Sequence, residues 1–245
     1  MLTCQHTPHN ILIRQHRSKE HRSLIHGLSS KGINILKLQI NIGSTREGRN
    51  SEAVCRWLLP IARAHGAFEV EILDLRDWPL PFFEETIASV GDFANPTYSD
   101  PLVKRWNDKI KEADAYLIVT PEYNHSIPAV LKNAIDTVFF SYSFRQKPVA
   151  FVGYSLGFTA AARAVEHLTQ IMVETEAVPV RTSTLVPLVT AAFDEKGQPT
   201  SPGQTVTLNA MLDDLLWLGK ALKTARSEGQ LLPAALRIRA ASGRK

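Results

Sequence analysis

The sequence predicts an α/β fold: a doubly wound, five-stranded parallel sheet with helices on both faces. Three observations predict it. From residue 33 onward, apolar strand-like runs alternate with amphipathic helix-like runs. Loops rich in Gly, Pro, Ser and Asn separate them at regular intervals. The 245 residues suit one domain, and no internal repeat or second composition breaks the pattern.

The elements follow in order. INILKLQINI (33–42) reads as a buried strand ending at Gly43, and SEAVCRWLLPIARAH (51–65) as a helix that Pro60 should kink or cut short. FEVEILDL (68–75) alternates as a strand does, and residues 76–100 form a long loop rich in Pro and aromatic side chains. Ser99 and Asp100 ahead of Pro101 are capping chemistry for a helix over 101–113. DAYLIVT (114–120) is a strand, 127–141 a helix, PVAFVGY (148–154) a strand, and 158–176 a helix. VPVRTSTLVPL (178–188) is strand-like, and a final helix runs over roughly 203–227. Trp57, Trp106 and Trp217 fall on predicted helices and are expected in the core, as is Cys55. Such alternation implies one parallel sheet. Right-handed crossovers then wind it in the flavodoxin-like order 2-1-3-4-5. Ligands of such sheets bind at the carboxyl ends of the strands, where strands 1 and 3 diverge. Three loops meet there: 43–51, 121–128 and 153–158.

Charge divides the chain. The net charge of +4 resides in residues 1–32, which carry Arg14, Arg17, Lys19, Arg22 and Lys31 against Glu20, with five of the eight histidines. Residues 33–245 balance to zero. The expected organisation is therefore a basic, disordered extension over 1–32 and one domain over 33–245. The extension has the look of a transit segment or a nucleic-acid tail, but it has no apolar period, and nucleic acid is not an expected partner. No apolar run reaches the ~18 residues that span a bilayer. The two cysteines form neither a disulfide framework nor a metal set, so a reducing cytoplasm is expected.

The first loop, GSTREGRNS, places Gly43 and Gly48 five apart, as a nucleotide P-loop does, but Arg49 and Asn50 stand where its Lys and hydroxyl should be. What remains is an anion site for one phosphate monoester without a metal. Its parts are a helix N-terminus, hydroxyls of Ser44, Thr45 and Ser51, and the guanidinium groups of Arg46 and Arg49. The second loop, TPEYNHSIP, is a turn with good capping residues, on which Tyr123 could border a planar ring. The third contains Gly153-Tyr154-Ser155-Leu156-Gly157, the G-x-S-x-G pattern of a hydrolase elbow. His167 is the one histidine after Ser155 and lies on the helix that starts beside it, about 18 Å further along its axis. A nucleophile triad is therefore not expected. The glycines are read instead as room for a flat ligand.

GSTREGR followed by TPEYNHSIPAVLKNAIDTV resembles the NADPH-dependent FMN reductase family, over roughly residues 33–190. The resemblance implies a flavodoxin-like fold, non-covalent FMN, NADPH as electron donor and sites at a homodimer or homotetramer interface. It implies acceptors such as quinones, azo dyes, free flavin or oxidised metal ions. Carried over residue by residue, Ser44, Arg46 and the segment Arg49, Asn50, Ser51 hold the FMN phosphate. Pro121, Glu122, Tyr123 and Asn124 lie along the isoalloxazine, and Ser155 and Gly157 flank it. Many members have Ser and Asn where this chain has Arg49 and Ser51, and often Trp where it has Thr137. No side chain is expected to act as catalyst, since the cofactor carries the chemistry. The alternative reading is a flavodoxin-like electron carrier or a regulatory flavin-binding protein, although this domain lacks a carrier's acidic surface. Lys132 and Asp136, four apart on one helix, are expected to form a local ion pair.

Overall fold

The computed structural model describes residues 35–92 and 95–243, so the predicted basic extension over 1–32 lies outside the described residues. Six strands form one parallel sheet: β1 (Leu36–Ile42), β2 (Phe68–Asp74), β3 (Ala115–Pro121), β4 (Pro148–Tyr154), β5 (Val178–Pro179) and β6 (Thr184–Val186). The order is β2-β1-β3-β4-β5, with β6 also paired to β4. This is the predicted order, with one change. The fifth strand is split: Pro148 and Val149 face Val178 and Pro179, whereas Val152 to Tyr154 face Thr184 to Val186. Pro179 has no N–H to give a ladder, which confines it to an edge such as this one.

Two apolar layers sandwich the sheet. Leu36, Leu38, Ile40 and Ile42 alternate along β1 and face α1 (Ser51–Ala64) and α6 (Pro202–Glu228), burying Trp57, Leu58, Leu208, Leu212 and Leu215. The opposite face of the sheet, with Tyr116, Ile118 and Phe151, covers α3 (Pro101–Lys111), α4 (Ala129–Asp136) and α5 (Ala162–Glu174). Each fully buried Leu or Ile is worth about 1.5–3 kcal/mol, so these layers supply the driving force. The remaining helices are α2 (Ile87–Val90) and α7 (Ala234–Ala241), neither expected from sequence.

Several expectations are corrected. α1 is not split at Pro60, which lies on its exposed side, as does Arg56, whose carbonyl loses its helical donor to the ring and can turn to water. The helix expected over 127–141 stops at Asp136, and a 3-10 turn at Phe139–Ser141 leads into Tyr142 at φ 50°. The helix expected from 158 begins at Ala162, because Ala160 and Ala161 adopt φ 53° and 69°. Trp217 is 63% exposed, since the buried side of α6 runs through Leu208, Leu212, Leu215 and Gly219. Trp57 and Trp106 are core residues as expected, at 2% exposure each.

The aromatic loop packs on its own chain. Trp78 stacks obliquely on Trp106 with ring centres 5.0 Å apart, and Phe83 on Phe140 at 5.6 Å. Asn133 of α4 clamps the loop, accepting from the Phe83 amide at 2.9 Å and donating to the Pro81 carbonyl at 2.8 Å. Lys132 pairs with Asp136 at 2.6 Å, as its spacing predicts.

At the opposite end of the sheet from the carboxyl ends of the strands, Lys147 is buried against the last carbonyls of α3. Its ammonium donates to Lys111 O at 2.8 Å and Tyr116 Oη at 3.1 Å. Burial pulls its pKa down to about 7, helped by the nearby Arg226. The unfolded chain thus holds this proton up to about pH 10.5, whereas the folded chain releases it from about pH 7. The lysine's penalty on stability is largest below pH 7 and shrinks as pH rises. In urea unfolding, Lys147→Met is expected to gain on wild type most at pH 6, and the gain should narrow steadily toward pH 9.5.

Candidate functional site

The three loops at the carboxyl ends of β1, β3 and β4 enclose a cleft of about 420 Å³, the size range of small-ligand pockets. α1 leaves β1 toward one face of the sheet and α4 leaves β3 toward the other, so the β1 and β3 loops diverge. Gly43 makes their close approach possible. A Cβ there would lie 2.8 Å from Leu131 Cδ2 and 3.1 Å from the Val119 carbonyl, to which the Gly43 amide donates at 2.8 Å.

The first loop is held by two arginines. Arg49 donates to Asp74, at the end of β2, and to the Ser44 carbonyl. Arg76 donates to the Thr45 and Arg46 carbonyls and to Glu52. A trans peptide points its N–H opposite its C=O. With these three carbonyls turned to the arginines, the amides of Thr45, Arg46 and Glu47 point the other way, and none of them donates a hydrogen bond within the described residues. Asn50, the residue before α1, makes no side-chain cap, so the first-turn amides of α1 are left open as well. Burial would raise the Asp74 carboxyl, but the Arg49 and Arg76 hydrogen bonds outweigh it and hold it below the ordinary range. Arg49 lines the cleft, yet its head group is largely taken up by Asp74; only its Nε lacks a hydrogen bond, with Glu52 at 3.6 Å. Arg46 is exposed, with its guanidinium 5.3 Å from the centre of the Tyr123 ring.

Ser44 and Ser51 are fully buried beneath this loop rather than on the cleft wall. Ser44 Oγ and Tyr123 Oη share a hydrogen bond of 2.7 Å, which ties the first loop to the second. Ser51 Oγ has no partner.

The second loop is a two-residue hairpin turn. Tyr123 and Ser126 exchange backbone hydrogen bonds at 2.9 and 3.1 Å, with Asn124 and His125 at φ 47° and 73°. Positive φ at both central residues is the requirement of a type I′ turn, and Asn is among the residues that tolerate it. Pro121, Glu122, Tyr123 and Asn124 all line the cleft. The Glu122 carboxylate is 5% exposed and pairs with Arg163 of α5, leaving its Oε2 and the Arg163 Nε without hydrogen bonds.

In the third loop Ser155 Oγ donates to the Gly157 carbonyl at 2.9 Å. His167 sits only five residues into α5, because that helix starts late, and its Nδ1 pairs with Ser126 Oγ at 2.9 Å. Serine and histidine thus each have another partner. The two glycines of the elbow pattern have different uses. A Cβ on Gly153 would lie 3.0 Å from the Ala160 carbonyl and 3.1 Å from Ala161 Cβ, so its bareness lets the left-handed 160–161 turn fold back on β4. A Cβ on Gly157 would meet nothing within 4 Å, and Gly157 lines the cleft with Ser155.

Sequence reasoning missed Asp74, Arg76, Tyr154 and Arg163. Asp74 was readable as an acid at the end of a strand whose loop neighbours the first. Tyr154 was in plain view inside the elbow pattern. Arg163 lies forty-one residues beyond Glu122 and gave no signal. Among the described residues no group of His, Cys, Asp or Glu is arranged to hold a metal, and no helix is long and apolar enough to cross a membrane.

Sheet order and crevice define a flavodoxin-like α/β protein. Residues 36–190 match the family model described as NADPH-dependent FMN reductase, and the chain belongs to that family. An NAD(P)H-dependent FMN reductase of Pseudomonas aeruginosa is 31% identical over 159 residues, 64% of this chain and 80% of that protein. A quinone reductase of Escherichia coli is 36% identical over 142 residues, 56% of this chain and 70% of its own. An NAD(P)H-dependent FMN reductase of Schizosaccharomyces pombe is 32% identical over 118 residues; the match covers 48% of this chain and 57% of that relative's length. Among solved structures, the flavoenzyme NAD(P)H:acceptor oxidoreductase of Paracoccus denitrificans superposes with a TM-score of 0.61 at 23% identity, covering 76% of this chain and 98% of its own.

Two substitutions separate the readings of the G-x-S-x-G segment. Gly153→Ala should destabilise the fold by about 1–3 kcal/mol in denaturant titration, the usual cost of overpacking. Ser155→Ala should leave turnover within a few-fold of wild type, where a nucleophile would lose several orders of magnitude.

Proposed function

We propose that this chain is an NAD(P)H-dependent, FMN-containing oxidoreductase that reduces small-molecule acceptors. The observation that carries the reading is the cleft's polarity. One end has unpaired loop amides, a bare helix N-terminus and Arg46, and the other has the Tyr123 turn and the open space at Gly157. A phosphate fits the first end by charge and free donors, and a planar ring fits the second. When bound, FMN would supply the redox chemistry that links NAD(P)H to an oxidised acceptor. The chain's own residues bind and orient. In this reading the amides of residues 45–47 and Arg46 hold the phosphate, and the buried Ser51 hydroxyl supports it from beneath the loop. Arg49 fixes the loop through Asp74 and offers at most its Nε. Pro121, Glu122, Tyr123 and Asn124 border the ring on one side, and Ser155 and Gly157 on another. Ser44 acts through Tyr123, and Asn50 by leaving the helix end open.

The acceptor class extends to quinones, azo dyes, free flavin and oxidised metal ions; the Escherichia coli relative, a quinone reductase, favours quinones as the first to assay. A homo-oligomer, a dimer or a dimer of dimers, is part of the proposal. Leu156 and Phe158 are 67% and 85% exposed beside the cleft and Phe82 is 80% exposed, apolar surface that a second copy would cover. So is a reducing, cytoplasmic setting, in keeping with the free buried thiol of Cys55. Residues 1–32 are proposed to be dispensable for flavin binding.

The test is the absorbance spectrum of the purified full chain, which should show flavin bands that bleach with NADPH and recover on adding a quinone. A colourless protein that takes up no FMN would overturn the reading. Arg46→Ala should bind FMN about tenfold more weakly or worse, the loss of one charge-assisted hydrogen bond, as read by fluorescence titration. Riboflavin, which lacks the phosphate, should bind both proteins equally.

A further inference from the structure

Tyr154 is the last residue of β4, and its phenol is turned to the α1 side of the sheet, among the residues that pack against α1. β3 lies between β4 and β1, so only a long side chain from this position reaches the first loop. The residue is 3% exposed and lines the cleft, and its hydroxyl, although Ser51 and Ser44 lie close enough to act on its acidity, meets no partner in hydrogen-bonding geometry. Ser51 Oγ, at the first turn of α1, is equally buried and equally without a partner. A buried hydroxyl left unpaired is costly, and two close together at a helix N-terminus call for a shared acceptor. The free amides of residues 45–47 belong to the same loop.

We propose that Tyr154, together with Ser51, is a recognition residue for the phosphate group of the bound flavin nucleotide, donating its phenolic hydrogen across the sheet to an anion at the N-terminus of α1. The inference rests on the FMN reading above and adds to it a donor from a strand that the first loop does not contain. Burial pushes the Tyr154 phenol up to about 12, while the Ser51 and Ser44 hydroxyls beside it pull it down, so it remains a donor at neutral pH. A second phenolate-disfavouring influence comes from Tyr123. The position is also anchored at its backbone, since the Tyr154 carbonyl accepts from the Glu122 amide at 3.2 Å. One residue therefore joins the ring-binding turn to the phosphate end.

The experiment titrates the full chain, stripped of flavin, with FMN and with riboflavin by fluorescence, for wild type, Tyr154→Phe and Ser51→Ala. Phosphorus NMR of bound FMN is recorded for each. Tyr154→Phe keeps the ring and its packing, and Ser51→Ala is the smaller change should the phenyl variant fold poorly. The expected result is a loss of about tenfold in FMN affinity for each variant, riboflavin affinity within twofold of wild type, and a moved phosphorus resonance. Unchanged FMN affinity in both variants, or equal losses for FMN and riboflavin, would overturn the proposal, the second outcome because it assigns the tyrosine to packing. A wild-type protein that binds FMN no better than riboflavin would instead overturn the phosphate end of the functional reading, and the two failures are told apart by the wild-type titration alone.

Discussion

The parting of β1 and β3 governs this molecule. They pair in parallel from Leu38 and Ala115 to Ile42 and Val119, and then their chains leave for opposite faces of the sheet. Ridges cannot fill the gap between two helices that depart in opposite directions, so a crevice must open there. Its depth depends on how closely the strands hold until that point. Gly43 decides this, because its missing Cβ lets Leu131 of α4 press against the end of β1 while its amide still closes the ladder on Val119. The three loops of the cleft hang from the strand ends around this gap, and Arg163 of α5 closes in from the side.

Electrostatics then assigns the two ends of the crevice. Two arginines take the carbonyls of the first loop, and the planarity of the peptide turns the amides away from them. The positive character of the loop thus arises less from cationic side chains pointed at a ligand than from backbone dipoles that cationic side chains orient. Asp74 neutralises Arg49 so that this charge can be buried at modest cost. Arg46 is the cation of the loop that remains turned toward the cleft, resting over the Tyr123 ring.

The third loop explains how a hydrolase-like pattern arises without hydrolase chemistry. β4 must end tightly enough for Ala160 and Ala161 to fold back over it, and two consecutive alanines in the left-handed region carry strain that packing has to hold. Ala161 is fully buried and Gly153 receives it. The serine between the glycines serves the turn by capping the Gly157 carbonyl. Strain of this kind beside a ligand cleft keeps Ser155 and Gly157 fixed without a long buried side chain in the way.

Much of this was determined by the sequence itself. Alternating apolar runs implied a parallel sheet, right-handed crossovers implied the order 2-1-3-4-5, and the loop chemistry of Gly43 to Ser51 and Pro121 to Asn124 marked the cleft, because period and punctuation are local properties. The tertiary structure alone decided the rest. Arg49 and Arg46 are equivalent in sequence, and only the end of β2, brought alongside by sheet pairing, turns one toward Asp74 and leaves the other free. Helix rotation set Trp217 outward although its composition argued for the core. Tyr154 became a neighbour of Ser51 because β4 lies one strand from β1 and a phenol is long enough to cross that distance. Such contacts join residues a hundred positions apart, and no local pattern encodes which of them the sheet will bring together.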